Sequence, residues 1–249
     1  MSGTDFAVVV AAVLVGGLVK SIAGLGLQLV AIPIMTIFLP IETVVAVLAL
    51  PNLAQNVFLV YKFRQWHSAV GRLPAFCAAS VLGALAGTYA LDVIGERVLQ
   101  FTLLIMVAGY LVSTVTHPHF EIDDRTERLG VLPVGAVSGV LQGAIGISGP
   151  VVGTWHHGLG LHRDAFVFSV ATAFTITGAA QSVLLGVQGK YANRWAAIAA
   201  VSVIVLITVP IGSYLRTRLP VEWFRRMVLV LLAASCVSIV IDLAGSFAK

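Results

Sequence analysis

The chain is a succession of apolar runs parted by short polar breaks. The runs are 6–21, 27–39, 42–61, 70–91, 97–116, 130–142, 150–160, 165–188, 194–214 and 223–243. A helix rises about 1.5 Å per residue, so ~30 Å of hydrocarbon takes about 20 residues. The runs 42–61, 70–91, 97–116, 165–188, 194–214 and 223–243 are long enough to cross. The other four are shorter and form two pairs, 6–21 with 27–39 and 130–142 with 150–160. Hydrophobic residues make up 59% of the chain and charged ones only 10%. Soluble domains carry about 25% charged residues. No soluble fold of this length hides so much apolar surface, so the pattern predicts an all-α polytopic membrane protein.

The net charge of +4 sits mostly in short loops, where it orients the chain in the membrane rather than contacting nucleic acid. The N-terminus lacks a basic leader and carries Asp5, so it reads as part of the mature protein. Cys77 and Cys236 lie inside apolar runs without neighbouring ligands and read as small buried hydrophobes. The polar stretch 117–129 reads as a solvated linker loop. The spacing of its His117, His119, Asp123 and Asp124 fits no metal motif. No phosphate-binding loop, Ser-His-Asp set or zinc-protease spacing is present, so neither an ATP-driven pump nor an intramembrane enzyme is expected, and no cofactor or metal.

The linker divides the chain into a first repeat, 1–116, and a second, 130–249. Each opens with a short pair that has a Gly-rich joint, 20–28 and 142–150. A shift of 122 residues lays Gly24 on Gly146, Gly26 on Ser148 and Glu42 on Asp164. Each acid then starts a long span, where a carboxylate suits the helix N-terminus. Placing the loop after 42–61 and the linker in the cytoplasm puts ten Lys and Arg inside against four outside, provided that 130–162 enters and returns on one side. The expectation is two inverted repeats, each a short broken or re-entrant helix pair followed by three transmembrane helices.

Non-helical backbone at membrane depth survives only where it is buried in protein or lines a polar cavity, so the joints are the expected site. Helix N-termini and free N–H groups there favour an anion. Gly24, Gly26, Gly143, Gly146 and Gly149 admit close backbone approach. Ser148, Gln28 and Gln142 add donors. Lys20 is a cation deep in an apolar run; it either counters the anion or snorkels to the surface. Asn52 and Asn56 in one span, and Thr175 and Gln181 in another, must face the protein interior, lining a path or bonding across helices. His156 and His157 read as interface residues or a proton shuttle.

At the joints the chain resembles the TauE/SafE family of sulfite and organosulfonate exporters. Those proteins have two halves, each opening on a Gly-rich stretch with a Pro some residues on. Here the stretches are AGLGLQLVAIP, residues 23–33, and GAIGISGP, residues 143–150. Leu27, Gln28 and Ser148 depart from the family's glycines at the positions that would meet a ligand. The resemblance implies a multi-pass permease of the bacterial inner membrane for a small sulfur oxyanion, sulfonate or carboxylate. A proton or sodium ion is the candidate coupling ion and a homodimer the candidate assembly. Alternating exposure is expected from motion of one half against the other. The rival readings are an anion channel and a non-transporting membrane assembly subunit.

Overall fold

The computed structural model describes residues 3–116 and 121–215, with the single positions 218, 233 and 237. The expected span 223–243, Cys236, and His117 and His119 of the linker lie outside the described residues. All described elements are helical: α1 (Gly3–Ala23), α2 (Leu27–Met35), α3 (Ile41–Lys62), a 3-10 turn (Arg64–Ala69), α4 (Leu73–Val93), α5 (Glu96–Thr116), α6 (Asp124–Ile145), α7 (Gly149–Gly158), α8 (Arg163–Val187) and α9 (Trp195–Leu215).

Among the described residues, α1, α3, α4, α6, α8 and α9 are long and apolar enough to cross a membrane. In each expected short pair, the first limb is a full-length helix, of 21 residues in α1 and 22 in α6. Only the second limb is short, with 9 residues in α2 and 10 in α7. The linker is also shorter than its polarity suggests, because α6 already begins at Asp124. Asp123 caps that helix, its carboxylate accepting from the Thr126 N–H at 3.3 Å. Asp124 and Glu127 occupy the first turn, where the dipole favours acids. Residues that look like loop are there the cap and first turn of a helix.

The two breaks are built alike. α1 gives way at Gly24, φ 86°, and α6 at Gly146, φ 71°. Their N–H groups close the last turns onto the carbonyls of Lys20 and Gln142, at 2.7 and 3.0 Å. Left-handed backbone favours glycine at both. Two residues on, Gly26 and Ser148 are the N-caps of α2 and α7. Gly26 has φ 140° and is confined to glycine, whereas Ser148 at φ −125° can carry a side chain. Beyond the first break α2 folds back on α1: a Cβ on Gly26 would sit 2.5 Å from Val19, and one on Gly16 would sit 2.8 Å from the Leu27 carbonyl.

α4 and α6 share the closest interface. A Cβ on Gly83 or Gly87 would lie 2.1 Å from a carbonyl oxygen of α6, and one on Gly139 would lie 2.0 Å from that of Ser80. Small residues let the two backbones touch, as lipid-embedded helices often require. The Ser80 hydroxyl donates across the seam to the Gly135 carbonyl at 2.9 Å. Ion pairs close both ends of α4. Arg72, its N-cap, pairs with Asp124 at 2.8 Å and with Glu127. Asp92, in its last turn, pairs with Lys190, which also reaches Glu42 at 3.3 Å.

Elements from the two halves of the sequence alternate in the packing. α1 lies on α9, α3 on α8 and α4 on α6. One buried apolar cluster joins Leu27, Leu29, Val44, Ile145, Ile147 and Val205. A second joins Leu59, Phe76, Trp155, Phe168 and Phe174.

Candidate functional site

A small cavity lies between these clusters. It is lined by Lys20 of α1, by Gly26, Leu27, Gln28 and Leu29 at the start of α2, and by Asn52 of α3. Ile147, Ser148 and Gly149 at the start of α7, and Phe174 of α8, complete it. Two helix N-termini therefore border one cavity. The first N–H groups of a helix have no partner within it, and the dipole adds partial positive charge. The space is tight, with room for about one water-sized sphere.

A continuous hydrogen-bonded chain crosses the cavity wall. The Lys20 ammonium donates to the Asn52 side-chain carbonyl. Asn52 Nδ2 donates to Gln28 Oε1 at 2.8 Å, and Gln142 Nε2 reaches the same oxygen at 3.1 Å. The Ser148 hydroxyl donates to Gln142 Oε1 at 3.0 Å. Gln142 Nε2 also donates to Gln181 Oε1 at 3.1 Å, and Gln181 Nε2 returns a bond to the Gln142 backbone carbonyl at 2.7 Å. Residues from α1, α2, α3, α6, α7 and α8 thus meet in one network.

Lys20 is only 2% exposed and does not snorkel. Its ammonium lies 5.4 Å from the centre of the Phe174 ring, within cation–π range. Gln28 is 7% exposed, and its Nε2 donor has no hydrogen-bond partner among the described residues. A buried donor left unpaired beside a cavity is a vacant position for an acceptor.

Of the residues expected from sequence, Lys20, Gly26, Gln28, Asn52, Ser148 and Gly149 line the cavity, while Gln142 and Gln181 stand behind it. The others are not part of the lining. Gly24 and Gly146 shape the breaks, packed against Val167 and against Ile32. Gly143 belongs to the seam, where a Cβ would lie 2.4 Å from the Ala84 carbonyl. The Thr175 hydroxyl bonds its own helix at the Ala171 carbonyl, 2.8 Å away. Asn56 is 0% exposed, one turn beyond Asn52 on α3, and neither of its side-chain polar atoms is bonded among the described residues.

Sequence reasoning missed Phe174, although the signal was present. The shift of 122 residues that pairs Gly24 with Gly146 also pairs Asn52 with Phe174, Lys20 with Gln142 and Leu27 with Gly149. All six belong to the lining or its backing.

The helices and their breaks define a polytopic α-helical membrane protein with a polar cavity bordered by two interior helix starts. The sequence model of the sulfite exporter TauE/SafE family matches residues 8–239, and the chain belongs to that family. Its members are membrane transporters rather than enzymes. No curated protein and no solved structure matches the chain.

Proposed function

We propose that the protein is a permease of the bacterial inner membrane that carries a small anion, with sulfite and the organosulfonates as first candidates. The anion sits between the starts of α2 and α7. The observation that carries this reading is a buried cation and an unpartnered amide donor at a cavity bordered by two helix N-termini. Asn52 holds the Lys20 ammonium while the site is empty and yields it to the incoming anion. The Gln28 amide, the Ser148 hydroxyl and the backbone N–H groups complete the shell.

The near-equivalent construction of the two breaks supports an origin by duplication with inversion. The tight cavity supports an alternating-access carrier over an open channel, since the starts of α2 and α7 must part to admit an ion larger than water. A proton or sodium ion as coupling partner and a homodimeric assembly belong to this proposal as well.

Purified protein in liposomes should take up sulfite, methanesulfonate or a short carboxylate with saturation and counterflow. Flux without counterflow would favour the channel. No anion flux at all would favour an assembly subunit and end the transporter reading for these substrates.

A further inference from the structure

We propose that the site accepts its substrate as a singly charged anion, so that sulfite travels as hydrogensulfite and doubly charged anions are refused. The proposal rests on the anion-site reading above and concerns the charge state of what binds there.

Among the described residues, Lys20 is the one charged side chain in the cavity lining. Its neighbours Gln28, Asn52 and Ser148 are neutral amides or a hydroxyl. The helices around them bring charge only at a distance. α2 contains no charged residue, nor does α9. On α3, Glu42 and Lys62 are each ten residues from Asn52, about 15 Å along the axis. On α8, Arg163 and Asp164 are at least ten residues before Phe174, again about 15 Å. The charges of α6, from Asp124 to Arg128, lie about 21 Å or more before Gln142. His156 and His157 sit at the far end of α7, and His156 Nδ1 is engaged with the Val152 carbonyl at 2.8 Å. Among the described residues the cavity therefore has a single full charge. The two helix N-termini add donors but no net charge, since each short helix carries the opposite pole about 14 Å away.

A monoanion beside the ammonium makes a neutral pair. A dianion leaves one negative charge uncompensated at membrane depth, where net charge is strongly disfavoured. Acceptors argue in the same direction. Four side-chain amide oxygens belong to the network around the cavity: Asn52 Oδ1, Gln28 Oε1, Gln142 Oε1 and Gln181 Oε1. Once Lys20 turns to the anion, Asn52 Oδ1 loses its donor. It can then accept the O–H of a hydrogensulfite ion, one bond more than a monoanion without a proton makes there. The proton then crosses as part of the substrate, without a carboxylate relay in the protein.

The test is uptake of sulfite, methanesulfonate and sulfate by proteoliposomes, each measured separately, below saturation, with equal pH on both sides and protein-free vesicles subtracted. The second ionisation of sulfite falls near neutral pH, methanesulfonate is a monoanion throughout, and sulfate is a dianion throughout. Sulfite uptake should fall about tenfold per pH unit above its second ionisation, methanesulfonate uptake should stay level, and sulfate should not be carried. Sulfite uptake that is flat or rises with pH, sulfate uptake equal to that of sulfite, or refusal of methanesulfonate overturns the proposal. Sulfite and methanesulfonate declining together also overturn it, because the titrating group is then in the protein. Absence of uptake for all three at every pH would instead sink the transporter reading itself.

Discussion

At the scale of single residues, the proposed site turns on the pairing of Lys20 with Asn52. Lys20→Met removes the charge while keeping a long apolar stem. It should weaken anion binding by about 1.5–3 kcal/mol, roughly 10- to 150-fold in Kd. Unchanged affinity in a binding titration would remove Lys20 from the site. Asn52→Asp makes the complementary change. It sets a permanent carboxylate on the ammonium, in the place of the Asn52 carbonyl that now accepts from it. The internal ion pair should compete with the substrate and cut transport at least about tenfold, since breaking a buried pair is costly. The thermal midpoint of the folded protein should hold. Transport that survives Asn52→Asp would show that the anion does not need the Lys20 charge.

At the scale of elements, the α4–α6 seam gives a sharp steric prediction. A methyl group on Gly139 meets the Ser80 carbonyl at 2.0 Å, and the obstacle is backbone that cannot swing aside. Gly139→Ala should cost about 1–3 kcal/mol as overpacking. Gly109→Ala on α5 meets none of the described residues within 4 Å and should be neutral or stabilise by up to about 1 kcal/mol through helix propensity. Melting in detergent separates the two, and equal midpoints would refute the seam. The ion pairs at the other end of α4 behave as a pH-dependent tie. Asp92, and after it Glu42, holds the Lys190 ammonium above the ordinary lysine range. A raised folded value means that this contribution is complete below the ordinary lysine pKa and disappears as pH rises through the raised one. Lys190→Gln should therefore lower the melting midpoint at neutral pH, with the deficit closing only beyond the lysine range. A deficit independent of pH would assign the loss to packing.

The elements also show what the sequence could convey. Hydropathy locates apolar segments well, because bilayer thickness and helix rise set their length. It misjudges segment ends where polar residues do helical work, as at Asp123, Asp124 and Glu127. The glycines of the breaks were visible, but Gly143 looks no different from Gly146 in sequence. Only the packing reveals that one serves the seam and the other the turn. Asn52 and Gln55 are both polar residues of one apolar run, with nothing in the sequence to tell their directions apart. A rotation of three residues along the helix sends Gln55 to the Gly17 carbonyl and the Ser21 hydroxyl of α1, away from the cavity.

At the scale of the whole molecule, the packing of α1 on α9, α3 on α8 and α4 on α6 changes the expected motion. One half of the sequence cannot swing against the other as a rigid body without tearing open the seam. In the carrier proposed above, the moving boundary is expected to leave α4 and α6 together. The Ser80 and Ser138 hydroxyl oxygens are 3.2 Å apart across that seam. A Ser80→Cys, Ser138→Cys pair, made with Cys77→Ser and Cys236→Ser, should form a disulfide and leave counterflow largely intact. Transport abolished by oxidation and restored by reduction would show that the seam opens during the cycle.

The same seam bears on how the protein is made. α4 leaves the ribosome before α6, with its glycine face lacking the α6 surface on which it packs. Until α6 arrives that face must rest against lipid or be sheltered by the insertion machinery. The first half is then a precursor rather than a finished domain, and a chain that stops early leaves the glycine face of α4 without α6.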